Sequence, residues 1–209
     1  MNVFILNTGR CGSTTFIEAC RHVTNYSCGH ESRTGLLGAD RLDYPENHIE
    51  ADNRLSWLLG RLETSYGDDA FYVHLKRDER DVARSFSRRY SRGIIKAYRG
   101  DGILRKLPEE SDRMNVALDY CRTVNSNIEL FLKDKTRKME VDLENVASDF
   151  PAFWEAIGAK GSLGAAIREF EKRHNASESM RRNAGRGRRR RGSRGIGDSI
   201  RRFARRRRV

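Results

Sequence analysis

The first twenty-two residues restrict this chain more than any other segment. Val3 to Asn7 is a short, mostly apolar run, the pattern of a strand buried on both faces, as in parallel sheets. Thr8-Gly9-Arg10-Cys11-Gly12-Ser13-Thr14 follows, and Thr14 to His22 then carries Phe16, Ile17, Ala19 and Cys20 at helical spacing. Strand, glycine-containing loop and helix, in that order, open a phosphate-binding α/β domain of the P-loop NTPase kind. Backbone N–H groups at a helix N-terminus, exposed by glycines and reinforced by the helix dipole, bind phosphate or sulfate. Gly9 and Gly12 permit the tight path, Ser13 and Thr14 add hydroxyls, and Arg10 adds a fixed positive charge. The Walker pattern needs a Lys after its second glycine, where this chain has Ser13. The G-x-G-x-x-G fingerprint is absent, and Ile17 stands where a tyrosine phosphatase loop has its Arg. The loop is therefore expected to cradle a nucleotide phosphate without the Lys and Mg²⁺ of ATP hydrolysis.

The rest of the body reads as strands alternating with helices. Asn25 to Cys28 is a short strand-like segment, Asn53 to Tyr66 an amphipathic helix, and Phe71 to Leu75 a second strong strand. A helix from about Glu79 to Tyr90 follows, with Asp78 placed to cap it and Asp81 in the position of a capping-box acid. Met114 to Lys133 reads as a long helix, Lys138 to Leu143 as a further strand, and Phe150 to Ile157 and Leu163 to Lys172 as two more helices. With no hairpin signal between the strands, the fold class is α/β, a mostly parallel central sheet flanked by helices. Trp57, Trp154 and most aromatics belong to the core. Asp52 or Asn53, in the polar run His48 to Arg54, reads as an N-cap, with lining of an acceptor site as the other use of that run.

Charge divides the chain in two. The 209 residues hold 41 Lys+Arg and 29 Asp+Glu, a formal +12, which by itself suggests a polyanionic partner. Fourteen Arg and one acid, Asp198, lie beyond residue 180, leaving 27 basic and 28 acidic residues before it. The basicity belongs to an Arg/Gly tail over 181–209, expected to be disordered and to attract anionic lipid or nucleic acid non-specifically. Residues 1–180 suffice for one domain with a real core. No stretch reaches the roughly 18 apolar residues of a membrane span. Cys11, Cys20, Cys28 and Cys121 show no C-x-x-C pair or zinc-like spacing, so free thiols, no metal and a cytoplasmic location are expected.

A second constellation sits after the strand at Phe71. Arg77, Asp81 and Ser85 are four apart and share one face of the following helix. An Arg at the C-terminal edge of a parallel strand stands where such sheets bind their ligands. Ser85 is placed to donate to the same anion, with Asp81 orienting the Arg by an i,i+4 pair.

Taken together, Thr8 to Thr14 and Arg77-x-x-x-Asp81-x-x-x-Ser85 resemble the sulfotransferases that use 3′-phosphoadenosine 5′-phosphosulfate (PAPS), most closely their bacterial branch with its R-[SC]-G-S-T loop. The resemblance spans roughly residues 2–175 in layout. It implies that Arg10, Cys11, Gly12, Ser13, Thr14 and Thr15 line the 5′-phosphosulfate site and that Arg77 and Ser85 bind the 3′-phosphate. Arg10 replaces the Lys of the eukaryotic cytosolic enzymes, and Cys11 stands where Ser is common. The family's C-terminal R-K-G-x-x-G-D-W-K loop is missing, with a partial echo at Arg194 to Ser199.

The implied reaction is in-line sulfuryl transfer, without a metal, to a hydroxyl or amine of a small-molecule, carbohydrate or lipid acceptor. Arg10 would neutralise developing charge. Glu31 is the base that the resemblance favours, with His30 as its competitor. The alternatives are a P-loop nucleotide kinase or NTPase, which lacks its Walker Lys here, and a catalytically inactive polyanion-binding adaptor.

Overall fold

A computed structural model describes residues 1–172. The tail expectations, including the echo at Arg194 to Ser199, lie outside the described residues. At the centre is a five-stranded, all-parallel sheet in the order β2-β3-β1-β4-β5, as the alternating pattern implies. Its strands are β1 (Val3–Leu6), β2 (Ser27–His30), β3 (His48–Ala51), β4 (Phe71–Lys76) and β5 (Lys138–Asp142). β1 pairs on one side with β3 (Val3 with Ile49) and on the other with β4 (Val3 with Phe71). Every residue of β1 is buried, which explains its unbroken apolar run.

Among the described residues seven α-helices flank the sheet: α1 (Ser13–Cys20), α2 (Leu59–Tyr66), α3 (Glu79–Ser87), α4 (Gly93–Ala97), α5 (Arg113–Leu132), α6 (Val146–Ala156) and α7 (Leu163–Glu171). On the α1 side an aromatic cluster forms the core. Phe16 meets Phe150 and Phe153 at ring-centroid distances of 5.2 and 5.1 Å, and Phe170 closes over Phe150 at 5.0 Å. Phe16, Phe150 and Phe153 are fully buried, each stabilising the fold by roughly 2–3 kcal/mol through apolar burial. Beyond β4, Tyr120 of α5 packs edge-on to Phe86 of α3 and to Tyr98. Trp154 is buried and Trp57 partly buried against this core.

Several elements differ from the sequence pattern. β3 lies in what reads as a polar run, yet all four of its residues are buried. His48 and Glu50 are tolerated there because each is hydrogen-bonded to a partner outside the strand. The expected helix over 53–66 is two pieces, a 3₁₀ turn at Asn53–Trp57 and α2. α3 stops at Ser87 rather than Tyr90, and α4 occupies a segment with no clear periodicity. Among the described residues no helix is long and apolar enough to cross a membrane.

Candidate active site

The loops that follow β1, β2, β3 and β4 all emerge at the C-terminal edge of the sheet. Chain order reverses across β1, whose neighbours are β3 and β4, and such a switch point forms a crevice at the strand ends. The loop after β1 starts at that switch point. Gly9, Arg10 and Gly12 all have positive φ, at 80°, 62° and 88°, a left-handed run of the kind that turns backbone N–H groups toward an anion. Gly12 is the N-cap of α1 and supplies no side chain to it, so the helix lacks the capping oxygen that would compete with a ligand.

Its scaffold comes from distant parts of the chain. The Asn7 side chain accepts from the Gly9 amide at 2.8 Å, Ser56 donates to the Asn7 carbonyl at 3.2 Å, and buried Tyr120 donates to the Thr8 carbonyl at 2.7 Å. Cys11 is buried, and burial pushes its thiol up to about 12 despite nearby N–H groups and Arg77. Its sulfur is thus a neutral packing group, and anything Cys11 offers a ligand must come from its backbone.

The two motifs meet here. Arg10 Nε donates to Ser85 Oγ at 3.0 Å across 75 residues of sequence. Arg77 Nη1 donates to the Arg10 carbonyl at 3.4 Å, while its Nη2 reaches Asp81 at 3.4 Å. Asp81 also accepts from Arg84 at 2.5 Å, so one carboxylate serves two guanidinium groups. Asp78 caps α3 through the Asp81 amide at 2.8 Å, and Glu144 rather than Asp81 accepts from the Asp78 amide.

Burial, followed by the proximity of Arg89 and then Arg77 and opposed by Cys11, holds the Arg10 guanidinium below its ordinary value. Among the described residues neither Arg10 nor Arg89 has a carboxylate partner. Converging cations with too few acids are stabilised by an anion. Arg89 reads in the sequence as one charge of a mixed surface face. Its signal is its position four residues beyond Ser85, one more step of the Arg77-Asp81-Ser85 series.

The turn after β2 brings up the candidate bases. His30 Nε2 lies 3.2 Å from Ser13 Oγ and 3.4 Å from Thr14 Oγ1. Glu31 has a φ of 52° and pairs with Arg54 at 3.0 Å. His30 is thus the residue in contact with the loop hydroxyls, and Glu31 is paired with Arg54. Thr15 continues the first turn of α1. Asp52 caps the Asn53–Trp57 turn through the Arg54 amide at 2.8 Å and forms a buried ion pair with Arg41, while the Asn53 side chain abuts Gly9. Among the described residues no group of three or more His, Cys, Asp or Glu side chains is placed to hold a metal ion.

No family model matches this chain, and no curated protein matches it.

Proposed function

We propose that this protein is a sulfotransferase that moves a sulfuryl group from PAPS to a hydroxyl or amine of a small-molecule, carbohydrate or lipid acceptor. The observation that carries this reading is the convergence of Arg10, Ser85 and Arg77, from two motifs far apart in sequence, beside a left-handed loop at a helix N-terminus. Such a site suits a ligand with two separate anionic groups. The excess of cations over acids around Arg10 supports the fit.

PAPS would supply a sulfuryl group on an activated phosphate, the S–O bond to that phosphate breaking as the acceptor bonds sulfur and adenosine 3′,5′-bisphosphate leaving; the rest falls to the chain's own side chains. The loop amides and the Ser13 and Thr14 hydroxyls would hold the 5′ end, with Arg10 facing the charge that develops there. Arg77 and Ser85 would hold the 3′-phosphate, Asp81 keeping the Arg77 fork in place by the i,i+4 pair. His30 Nε2 or Glu31 would take the acceptor's proton, a contribution of about 10²–10⁴-fold. The contacts of His30 with Ser13 and Thr14 favour His30 at the donor side, whereas Glu31 is held by Arg54. Four free thiols support a reducing, cytoplasmic setting.

Isothermal titration with adenosine 3′,5′-bisphosphate tests the assignment. Binding is expected to collapse in Arg77→Ala and to persist in Glu31→Ala. Equal affinity in wild type and Arg77→Ala would remove Arg77 from the site. Incubating source-cell extract with radiolabelled PAPS and the protein would then identify the acceptor class.

A further inference from the structure

β3 buries a carboxylate where a central parallel strand ordinarily carries an apolar side chain. Glu50 is 0% exposed, and an ion so placed is costly unless its oxygens are fully hydrogen-bonded. Both are. Oε1 accepts from the Ser32 amide at 2.7 Å, while Oε2 accepts from the Ser32 hydroxyl at 2.6 Å and from His48 Nε2 at 3.0 Å. His48 Nδ1 lies 2.8 Å from Ser27 Oγ, and Tyr44 stacks on the imidazole at 5.3 Å. Burial alone raises the Glu50 pKa, but the bonds from His48 and Ser32 outweigh it and leave it below the ordinary value. The carboxylate is therefore ionised near neutral pH and can only accept, so His48 Nε2 carries the shared proton.

The neighbouring strand is shaped around this group. Gly29 pairs with Glu50 across the sheet. A Cβ at Gly29 would lie 2.3 Å from Glu50 Oε2, and 2.9 Å from both His48 Nε2 and Ser32 Oγ. Only glycine leaves room for the carboxylate to reach over β2 to Ser32. The two residues between Gly29 and Ser32 are His30 and Glu31, the candidate bases. The Glu31 amide is tied back to the Ala51 carbonyl at 3.0 Å, so the turn is gripped from β3 at two successive residues.

We propose that Glu50 is a positioning residue: its hold on both the amide and the hydroxyl of Ser32 fixes the Gly29–Ser32 turn, so that His30 stands on Ser13 and Thr14 and Glu31 on Arg54 before any acceptor arrives. The role rests on the reading of this crevice as a sulfuryl-transfer site. A carboxylate retained for stability alone would leave the His30 ring indifferent to its removal.

The test is ¹⁵N NMR of the histidine rings in the full chain, wild type against Glu50→Gln, with adenosine 3′,5′-bisphosphate as the probe. In wild type the His30 ring nitrogens are expected to give one fixed hydrogen-bonded pattern that shifts when the bisphosphate is added. In Glu50→Gln the bisphosphate affinity is expected to stay within about threefold, because Arg77 and Ser85 lie on another element. The His30 signals are expected to move to those of a freely exchanging, solvated imidazole. A folded Glu50→Gln whose His30 signals match wild type overturns the proposal. If Glu50→Gln does not fold, Ser32→Ala removes only the hydroxyl contact and carries the same two outcomes. Release of His30 in a protein that never binds the bisphosphate overturns the sulfotransferase reading while supporting the positioning role of Glu50.

Discussion

Replacing Gly12 with alanine tests whether the loop conformation is as constrained as its contacts imply. The φ of 88° lies in the left-handed region, where an L-residue costs about 1–2 kcal/mol. The added Cβ would also lie 2.8 and 3.0 Å from the two terminal methyls of Leu143. Rotating that side chain exchanges one methyl for the other, so the whole side chain must shift, at about 1 kcal/mol, the low end of overpacking costs. The stiffer unfolded chain returns roughly 0.5 kcal/mol. The net is about 2 kcal/mol, and at roughly 2–4 °C per kcal/mol for a domain of this size the melting temperature should fall by about 6 °C. Gly38→Ala is the control, because its φ is 58° and its Cβ meets nothing within 4 Å. It carries the backbone cost alone, about 1 kcal/mol, or about 3 °C. Both are read by thermal unfolding followed by circular dichroism. Leu143→Ala in the Gly12→Ala background should recover the steric part as a positive coupling in a double-mutant cycle. Equal shifts for the two glycines, with no coupling to Leu143, would refute the reasoning.

Other outcomes follow from buried groups. Asp52→Ala strands Arg41, which is 5% exposed; breaking such a pair costs about 3–5 kcal/mol, so a fall of about 10 °C is expected, and one under about 3 °C would contradict it. Glu50 has a folded pKa below its ordinary 4.5, so its contribution is present above pH 4.5 and is lost as pH falls through the lower folded value. Melting curves should show an acid limb in wild type that is flatter in Glu50→Gln; parallel limbs would refute the assignment. Because Cys11 is buried with a thiol pushed up to about 12, Cys11→Ser should leave bisphosphate affinity within about twofold, and iodoacetamide at pH 8 should spare Cys11 in the folded protein. A tenfold loss of binding would give the sulfur a direct role.

The α/β class is legible in the sequence because the central strand, Val3 to Leu6, has no polar residue and the long helix α5 carries its buried residues at helical spacing. The Asp78 cap and the Arg77–Asp81 pair are legible too, since both depend on spacings of three and four, although Arg77 and Asp78 precede α3 rather than lying in it. β3 is not. Its His48 and Glu50 look like surface charges until Ser27 and Ser32 are seen to satisfy them, and those partners are about twenty residues away. The meeting of Arg10 with Ser85 likewise has no local signal. It is set by β1 and β4 lying side by side, and the sequence suggests it only through family resemblance. Spacing alone also leaves His30 and Glu31 as equals. In the structure their surroundings differ: Glu31 is left-handed and paired with Arg54, whereas His30 lies on Ser13 and Thr14.

The central claim is that Arg77 and Ser85 await a second phosphate beside the loop. Its most direct measurement is the affinity of adenosine 3′,5′-bisphosphate against adenosine 5′-monophosphate by calorimetry in Mg²⁺-free buffer. Charge-assisted hydrogen bonds contribute about 1.5–3 kcal/mol, so the bisphosphate should bind at least about tenfold more tightly, and Arg77→Ala should erase the difference. Equal affinities, or no binding of either nucleotide, would contradict it.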